Sequence, residues 1–378
     1  MYIPQLEDLG DVKGKTVLVR CDFNVPMTKR DDGEFDIVDD FRIRSSVPTL
    51  KWLVDHGAKV IACSHIGRPH GKWDPDLSIA PMAKRLHELL PEVEVLENLR
   101  FSKGEEENDD AYVQDLIRGV DLYVDDAFGA AHRVHASIVG PPKYLRSAAG
   151  RLLAREAEVL ASLLEAPERP FVGIMGGSKV SDKMGLIKSL IDKVDTLIVG
   201  GGMAFSFLVA LGRNIGDSMV EPDQIDICRN LLESTKKIIL PVDYVALNSD
   251  APFGRGINNG TAQCFSGDIP SGWKALDIGP KSSEAFQDII MGAKTVLWNG
   301  PLGVCEDPRF SLGTQAVATA VAKFGGFSVV GGGDSAAAIE QAGLANNISH
   351  LSTGGGASLE FLEKGDLPGL KALRDSPS

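Results

Sequence analysis

Short apolar runs of strand length recur along this chain, and between them lie longer stretches whose apolar residues fall at helical spacing. Thr16–Arg20, Lys59–Cys63, Val93–Leu96 and Asp121–Val124 are such runs in the first part, with helical stretches near Val47–His56 and Ile79–Leu90. Phe171–Met175, Leu197–Val199, Ile238–Leu240, Thr295–Trp298 and Phe327–Val330 repeat the pattern further on. Strands that are apolar throughout are buried on both faces, and strands that alternate with helices pair in parallel. The pattern therefore predicts an α/β fold of doubly wound parallel sheets. In such sheets ligands bind beyond the carboxyl ends of the strands.

At 378 residues the chain exceeds what one hydrophobic core serves, so two domains are expected. The break at Gly140-Pro141-Pro142 precedes an amphipathic run, Arg151–Glu165, that ends at Pro167 and Pro170 and reads as a connecting helix. The expected boundaries are 1–150 for the first domain, 151–166 for the connecting helix and 167–355 for the second domain.

The net charge of −13 argues against a nucleic-acid or anionic-membrane surface, so an anionic ligand must be held by local cations. Five widely spaced cysteines with no CxxC pair suggest reduced thiols in the cytoplasm and no zinc site. The first ten residues, MYIPQLEDLG, are acidic where a secretion signal is basic and apolar. Thr196–Gly212 carries no charge over seventeen residues, but Gly200–Gly202 interrupts it, so strand, glycine turn and buried helix is expected there instead of a membrane span.

The strand ends hold the chemistry. Arg20, Arg68, Arg100 and Arg133 each lie just past a strand, and Arg42 is read in a loop after Asp39 and Asp40. Asp22 and Asn24 join Arg20 in a polar cluster closed by Pro26. Arginine grips carboxylate and phosphate with two donors, so the set predicts a basic pocket, with one or two arginines pairing with neighbouring aspartates instead. In the second half, Gly176 and Gly177 lead into Ser181–Leu190, with Lys179 and Lys183 near the helix start, where amides attract anions. That stretch is expected to bind phosphate. Gly200–Gly202, Gly331–Gly333 and Gly354–Gly356 add further glycine turns, the helix after Gly331–Gly333 being expected from Ser335.

There is no GxxxxGK[ST] loop. Gly331, Gly333 and Ala336 fit GxGxxA, but the acidic residue expected about twenty positions on is absent. Asp334 could hold magnesium or cap the following helix. His65 and His132 stand beside pocket arginines without the partners of a proton-transfer set, and the seven histidines lack metal-ligand spacing.

The ordered segments RCDFNVP, SHIGRP, ENLRF, DAFGAAHR, GGSKVSDK, GGGMAF, LPVDYV, WNGPLGVCE, GGGDS and STGGGASLE resemble phosphoglycerate kinases over about Leu9 to Leu370. The resemblance implies two Rossmann-like lobes, the first binding 3-phosphoglycerate and the second the nucleotide, with 356–378 returning to the first. It implies reversible phosphoryl transfer between 1,3-bisphosphoglycerate and ADP, with magnesium, by a cytoplasmic monomer. Carried over by motif, Asp22, Asn24, His65, Arg68, Arg100 and Arg133 would bind the glycerate substrate and Arg42 would face its acyl phosphate. Lys179 would follow the transferring group, with amides of Gly333 and Gly356 around it. Lys183, Gly201, Gly202, Gly332, Ser335 and Glu306 would hold the nucleotide, Glu306 at the ribose, and Asp334 the metal. The chain departs from the common family pattern at Cys21, His70, Ser178, Cys305 and Ser335. Cys21 beside the substrate cluster would make activity sensitive to thiol reagents if it is exposed. A nicotinamide-dependent dehydrogenase and a non-catalytic binder of a phosphorylated metabolite are the competing readings. The first explains neither the lysines nor the arginines, and the second lacks its usual export signal.

Overall fold

The computed structural model describes residues 2–377. It comprises two compact units, Met1–Ala161 with Gly356–Ser378, and Ser162–Gly355.

The first unit contains β1 (Thr16–Arg20), a hairpin of β2 (Met27–Lys29) and β3 (Phe35–Ile37), β4 (Lys59–Cys63), β5 (Glu94–Val95), β6 (Leu122–Asp125) and β7 (Ser147–Ala149). Its five-stranded sheet runs β5-β4-β1-β6-β7, and every pair is parallel. The chain winds outward from β1 through β4 to β5, then crosses to β6 and β7. The winding therefore reverses at β1, where a crevice opens beyond the carboxyl ends. Val17, Leu18 and Val19 of β1 are wholly buried, as a strand covered on both faces requires.

The helices of this unit are α1 (Phe41–Asp55), α2 (Ala80–Leu89), α3 (Lys103–Glu107), α4 (Asp110–Leu116), α5 (Ala136–Val139) and the start of α6 (Arg151–Glu165). Ile43, Leu50 and Leu53 of α1 and Met82 and Leu86 of α2 pack with β1 in one core. Helix α1 begins six residues before the periodicity suggests. Pro48 sits inside it, and Ser45 and Ser46 return their hydroxyls to the carbonyls of Phe41 and Arg42, so the helix runs through a sequence that reads as a break. Arg42 is thus in the first turn of α1, not in a loop.

The second unit carries the rest of α6, then β8 (Phe171–Met175), α7 (Met184–Leu190), β9 (Thr196–Val199), α8 (Ala204–Ala210), α9 (Ile225–Ser234) and β10 (Ile238–Ile239). A three-stranded antiparallel sheet, β12-β11-β13, follows from β11 (Asp243–Asn248), β12 (Ala262–Ser266) and β13 (Trp273–Ile278), and was not expected from the sequence. Then come α10 (Pro280–Met291), β14 (Thr295–Asn299), α11 (Leu312–Lys323), β15 (Phe327–Gly331), α12 (Gly333–Gln341) and β16 (His350–Leu351). The main sheet is β10-β9-β8-β14-β15-β16, all parallel, with its reversal at β8 and β14, two strands buried along their whole length. Helices α13 (Gly356–Lys364) and α14 (Pro368–Arg374) belong to the first unit, where the Phe361 and Phe128 rings meet edge to face.

Among the described residues no helix is long and apolar enough to cross a membrane. The uncharged stretch is β9, a glycine turn and α8, as expected.

Candidate active site

At the reversal of the first sheet, the ends of β1, β4 and β6 and the segment after β5 bring together Asp22, Asn24, His65, Arg68, Arg100 and Arg133. Hydrogen bonds lock the loops to one another. The Gly67 amide donates to Asn24 Oδ1 at 3.0 Å, and the Phe23 amide to Ser64 Oγ at 2.8 Å. Asn98 bonds both the amide and the carbonyl of Ile66. Arg42 reaches in from α1, pairing with Asp22 at 2.8 Å and donating to the Asn24 carbonyl. Arg68 and Arg133 are exposed, whereas Arg100 is buried and donates to the Gly67 carbonyl at 2.8 Å.

Arg20 differs from the other arginines. It is wholly buried and bonds to Ser137, to the Cys21 carbonyl and to His65, so it belongs to the wall of the pocket instead of its mouth. The positive field of the cluster registers in its histidines. Burial, then Arg20, Arg100, His135 and Arg42, hold the pKa of His65 well below the ordinary value. Burial, then Arg100, Arg133, Arg20 and His132, bring His135 down to about 4. Both rings are neutral at pH 7. Cys21 has no exposure, and burial, then Asp126 and Cys63, raise its pKa, so the condition for a reactive thiol there is not met.

Asp126, at the end of β6, accepts from the amides of Leu152 and Leu153 and so caps the first turn of α6. A Cβ on Gly150 would stand 2.1 Å from that carboxylate, which is why glycine precedes the helix.

In the second unit the turn after β8 departs from expectation. The amides of Val180 and Ser181 donate to Glu221 Oε2 at 2.6 and 3.1 Å, and the Ser181 hydroxyl donates to Oε1. The amides of Gly176 and Gly177 donate to the carbonyls of Asn299 and Pro301. The anion place expected at this helix start is filled by the protein's own carboxylate. Glu221 is a residue of the site that local reading missed, since it lies 40 residues from Ser181. Ser181–Lys183 forms a 3-10 turn ahead of α7. Lys179 is exposed on the turn, while Lys183 folds inward to the carbonyl and side-chain oxygens of Asn299. Burial lowers the Lys183 pKa to about 8, against the raising effect of Asp334 and Asp182.

Asn299 also donates from Nδ2 to the Gly331 carbonyl at 2.9 Å, so it ties the turn after β8 to the turn after β15. Residues Gly332 to Ser335 open α12 two residues earlier than expected. Its N-cap is Gly332, at φ 92°, with no side-chain cap, and a Cβ on Gly333 would meet open space, whereas Gly356 opens α13 in the first unit. Uncapped amides on open ground at a helix start attract an anion. The Ser335 hydroxyl is buried beneath this turn and accepts from the Gly300 amide at 2.6 Å. Gly201 lies against the turn after β8, where a Cβ would come 2.7 Å from the Gly177 carbonyl, and Gly202 lies against Ser178. Glu306 is exposed in the segment after β14. Asp334 is exposed in the first turn of α12, and its carboxylate has no hydrogen-bond partner among the described residues, so it does not cap the helix.

No group of three or more His, Cys, Asp or Glu residues among those described forms a cation site. A lone exposed carboxylate beside uncapped amides fits magnesium that takes its other ligands from phosphates and water.

The family profile described as phosphoglycerate kinase matches residues 6–365. A phosphoglycerate kinase of Roseiflexus castenholzii is 46% identical over 396 residues, covering 97% of this chain and 98% of that one. One of Moorella thermoacetica is 47% identical over 401 residues, covering 98% of each. The solved structure of phosphoglycerate kinase from Coxiella burnetii superimposes with a TM-score of 0.89 at 37% identity, and that from Pyrococcus horikoshii with 0.84 at 30%, each over 99% of both chains. A match in sequence and in fold over nearly the whole length means that the chain belongs to the phosphoglycerate kinase family.

Proposed function

We propose that this kinase's phosphoryl transfer between 1,3-bisphosphoglycerate and ADP is divided between the two switch points. The glycerate substrate is read by side-chain charge in the first unit and the nucleotide by backbone and Lys183 in the second. The observation that carries this division is the contrast of a histidine and arginine cluster at one sheet reversal with an uncapped glycine turn, Lys183 and Asp334 at the other.

Arg68, Arg100 and Arg133 bind the phosphate that is not transferred, while Asp22, Asn24 and His65 take the hydroxyl and carboxylate of 3-phosphoglycerate. Arg42, paired with Asp22, is within reach of the reacting carboxyl end and faces the acyl phosphate. Amides of Gly332 and Gly333 and the Lys183 ammonium receive nucleotide phosphates, Ser335 supports that turn from beneath, Gly201 and Gly202 back the adenine, and Glu306 takes the ribose. Asp334 would be the protein ligand for magnesium, which would draw charge from the phosphates. Lys179 follows the moving phosphoryl group.

The transition state of such a transfer is loose, with charge spread over equatorial oxygens, so positioning and neutralisation are what the protein supplies. A carboxylate is the acceptor and needs no general base, which agrees with histidines held neutral by their surroundings. Direct in-line transfer on closure, by a cytoplasmic monomer, belongs to the same reading.

The test is 1,3-bisphosphoglycerate formation from MgATP and 3-phosphoglycerate, followed by coupling to glyceraldehyde-3-phosphate dehydrogenase and NADH. Turnover that requires both 3-phosphoglycerate and magnesium and is lost in Lys179→Ala is expected. Binding of both ligands without turnover in the unmodified chain would contradict it.

A further inference from the structure

Behind the first sheet's reversal runs a chain of buried polar groups that no step of the transfer uses directly. Glu105 on α3, Ser137 on α5 and Arg20 at the end of β1 all have zero exposure. Burying such groups is costly unless each finds its partners. The Ser137 amide donates to Glu105 Oε2 at 2.9 Å, and the Ser137 hydroxyl donates to Oε1 at 2.6 Å. Arg20 Nε donates to Ser137 Oγ at 2.8 Å, and Arg20 Nη2 lies 3.1 Å from His65 Nδ1. Each link is anchored from the side, Arg20 by the Cys21 carbonyl and Ser137 by the Tyr123 hydroxyl, which donates to its carbonyl at 2.6 Å.

Chemistry fixes the direction of every link. A guanidinium has donors and no acceptor, so Nδ1 of His65 must accept. The Ser137 oxygen accepts from Arg20 and sends its own proton to Glu105. A neutral imidazole that accepts at Nδ1 carries its proton at Nε2. We propose that Glu105, Ser137 and Arg20 are positioning residues that hold His65 as the Nε2–H tautomer, a fixed hydrogen-bond donor to an oxygen of 3-phosphoglycerate. The proposal rests on the reading of His65 as a substrate contact. The largest electrostatic influences on the ring come from Arg20, Arg100, His135 and Arg42, and each opposes a second proton on it.

The ring can be read without substrate. Nitrogen-15 NMR of the histidine-labelled full chain, with His65 assigned through His65→Gln, should show Nδ1 unprotonated and Nε2 protonated from pH 6 to 8. Ser137→Ala removes the hydroxyl that joins Arg20 to Glu105 but no charge, and leaves the backbone amide on Glu105. It should mix the tautomers and raise the KM for 3-phosphoglycerate about tenfold, while kcat and the KM for MgATP stay within about twofold. Ser137→Thr, which restores the hydroxyl, should recover the single tautomer. A wild-type ring protonated at Nδ1 would overturn the proposal even if Ser137→Ala does not fold. Ring signals and KM both unchanged in a folded Ser137→Ala would overturn it too. A His65→Gln enzyme with an unchanged KM for 3-phosphoglycerate would remove the substrate contact on which the proposal rests, and the ring spectrum reports the lock separately.

Discussion

The two sheets wind alike, each out from a central strand and back across it, yet their ligand ends are built of different materials. In the first unit the strand ends carry charged side chains steadied by one another: Arg42 on Asp22, Arg100 on Gly67, Arg20 on Ser137. In the second the strand ends carry glycines, with Lys183 and Asp334 among few charges, and the steadying is done by Asn299 and Glu221. A small, highly charged ligand offers little surface, and directed cations give it an address. A nucleotide offers a long polyphosphate that can lie on backbone, which needs room that only glycine leaves.

The largest expected effect falls on the chemistry itself. If Lys179 follows the moving phosphoryl group as proposed, Lys179→Ala should lower kcat by about two to four orders of magnitude and leave the Kd for MgADP nearly unchanged. A loss confined to nucleotide affinity would move Lys179 to the binding surface. Glu221→Ala frees the amides of Val180 and Ser181 and loosens the turn that carries Lys179, so kcat should drop by about tenfold with KM for 3-phosphoglycerate unchanged. Steady-state kinetics checks both.

Asp126 sharpens the comparison from the side of stability. Its carboxylate caps α6, and Asp126→Ala should cost about 1–2 kcal/mol, read as a lower denaturant midpoint at constant slope.

Lys183 gives the second unit a pH dependence that the arginines of the first lack. It is cationic below its value of about 8 and neutral above, so MgADP affinity should weaken as pH rises. Between pH 8 and 9 the loss should be about fivefold, and Lys183→Arg should flatten it. Titration calorimetry across that range decides. The smallest effect concerns thiols. Cys21 is buried and Cys264 exposed, so alkylation should modify Cys264 first and leave activity intact.

The alternation of strands and helices, and most strand positions, were legible because parallel strands buried on both faces must be apolar throughout. The positions just past those strands could be singled out for the same reason, since the carboxyl ends of parallel strands border the crevices. What lay hidden had long-range partners. Nothing local says that Glu221 fills the helix start after Gly177, that Asn299 joins two turns, or that Arg20 turns inward to Ser137, 117 residues away. Arg42 was misplaced for a local reason, since Pro48 disguised the helix that carries it. The antiparallel sheet was missed because β12, the edge strand beside β11, is itself largely exposed and shows little apolar pattern.

The division between charge recognition in one unit and backbone recognition in the other is tested most directly by calorimetric titration of 3-phosphoglycerate and of MgADP, each alone, into Arg133→Ala and Lys183→Ala. Arg133→Ala should weaken 3-phosphoglycerate by about tenfold or more and leave MgADP within about twofold, and Lys183→Ala should do the reverse. Equal weakening of both ligands by either substitution would contradict the division.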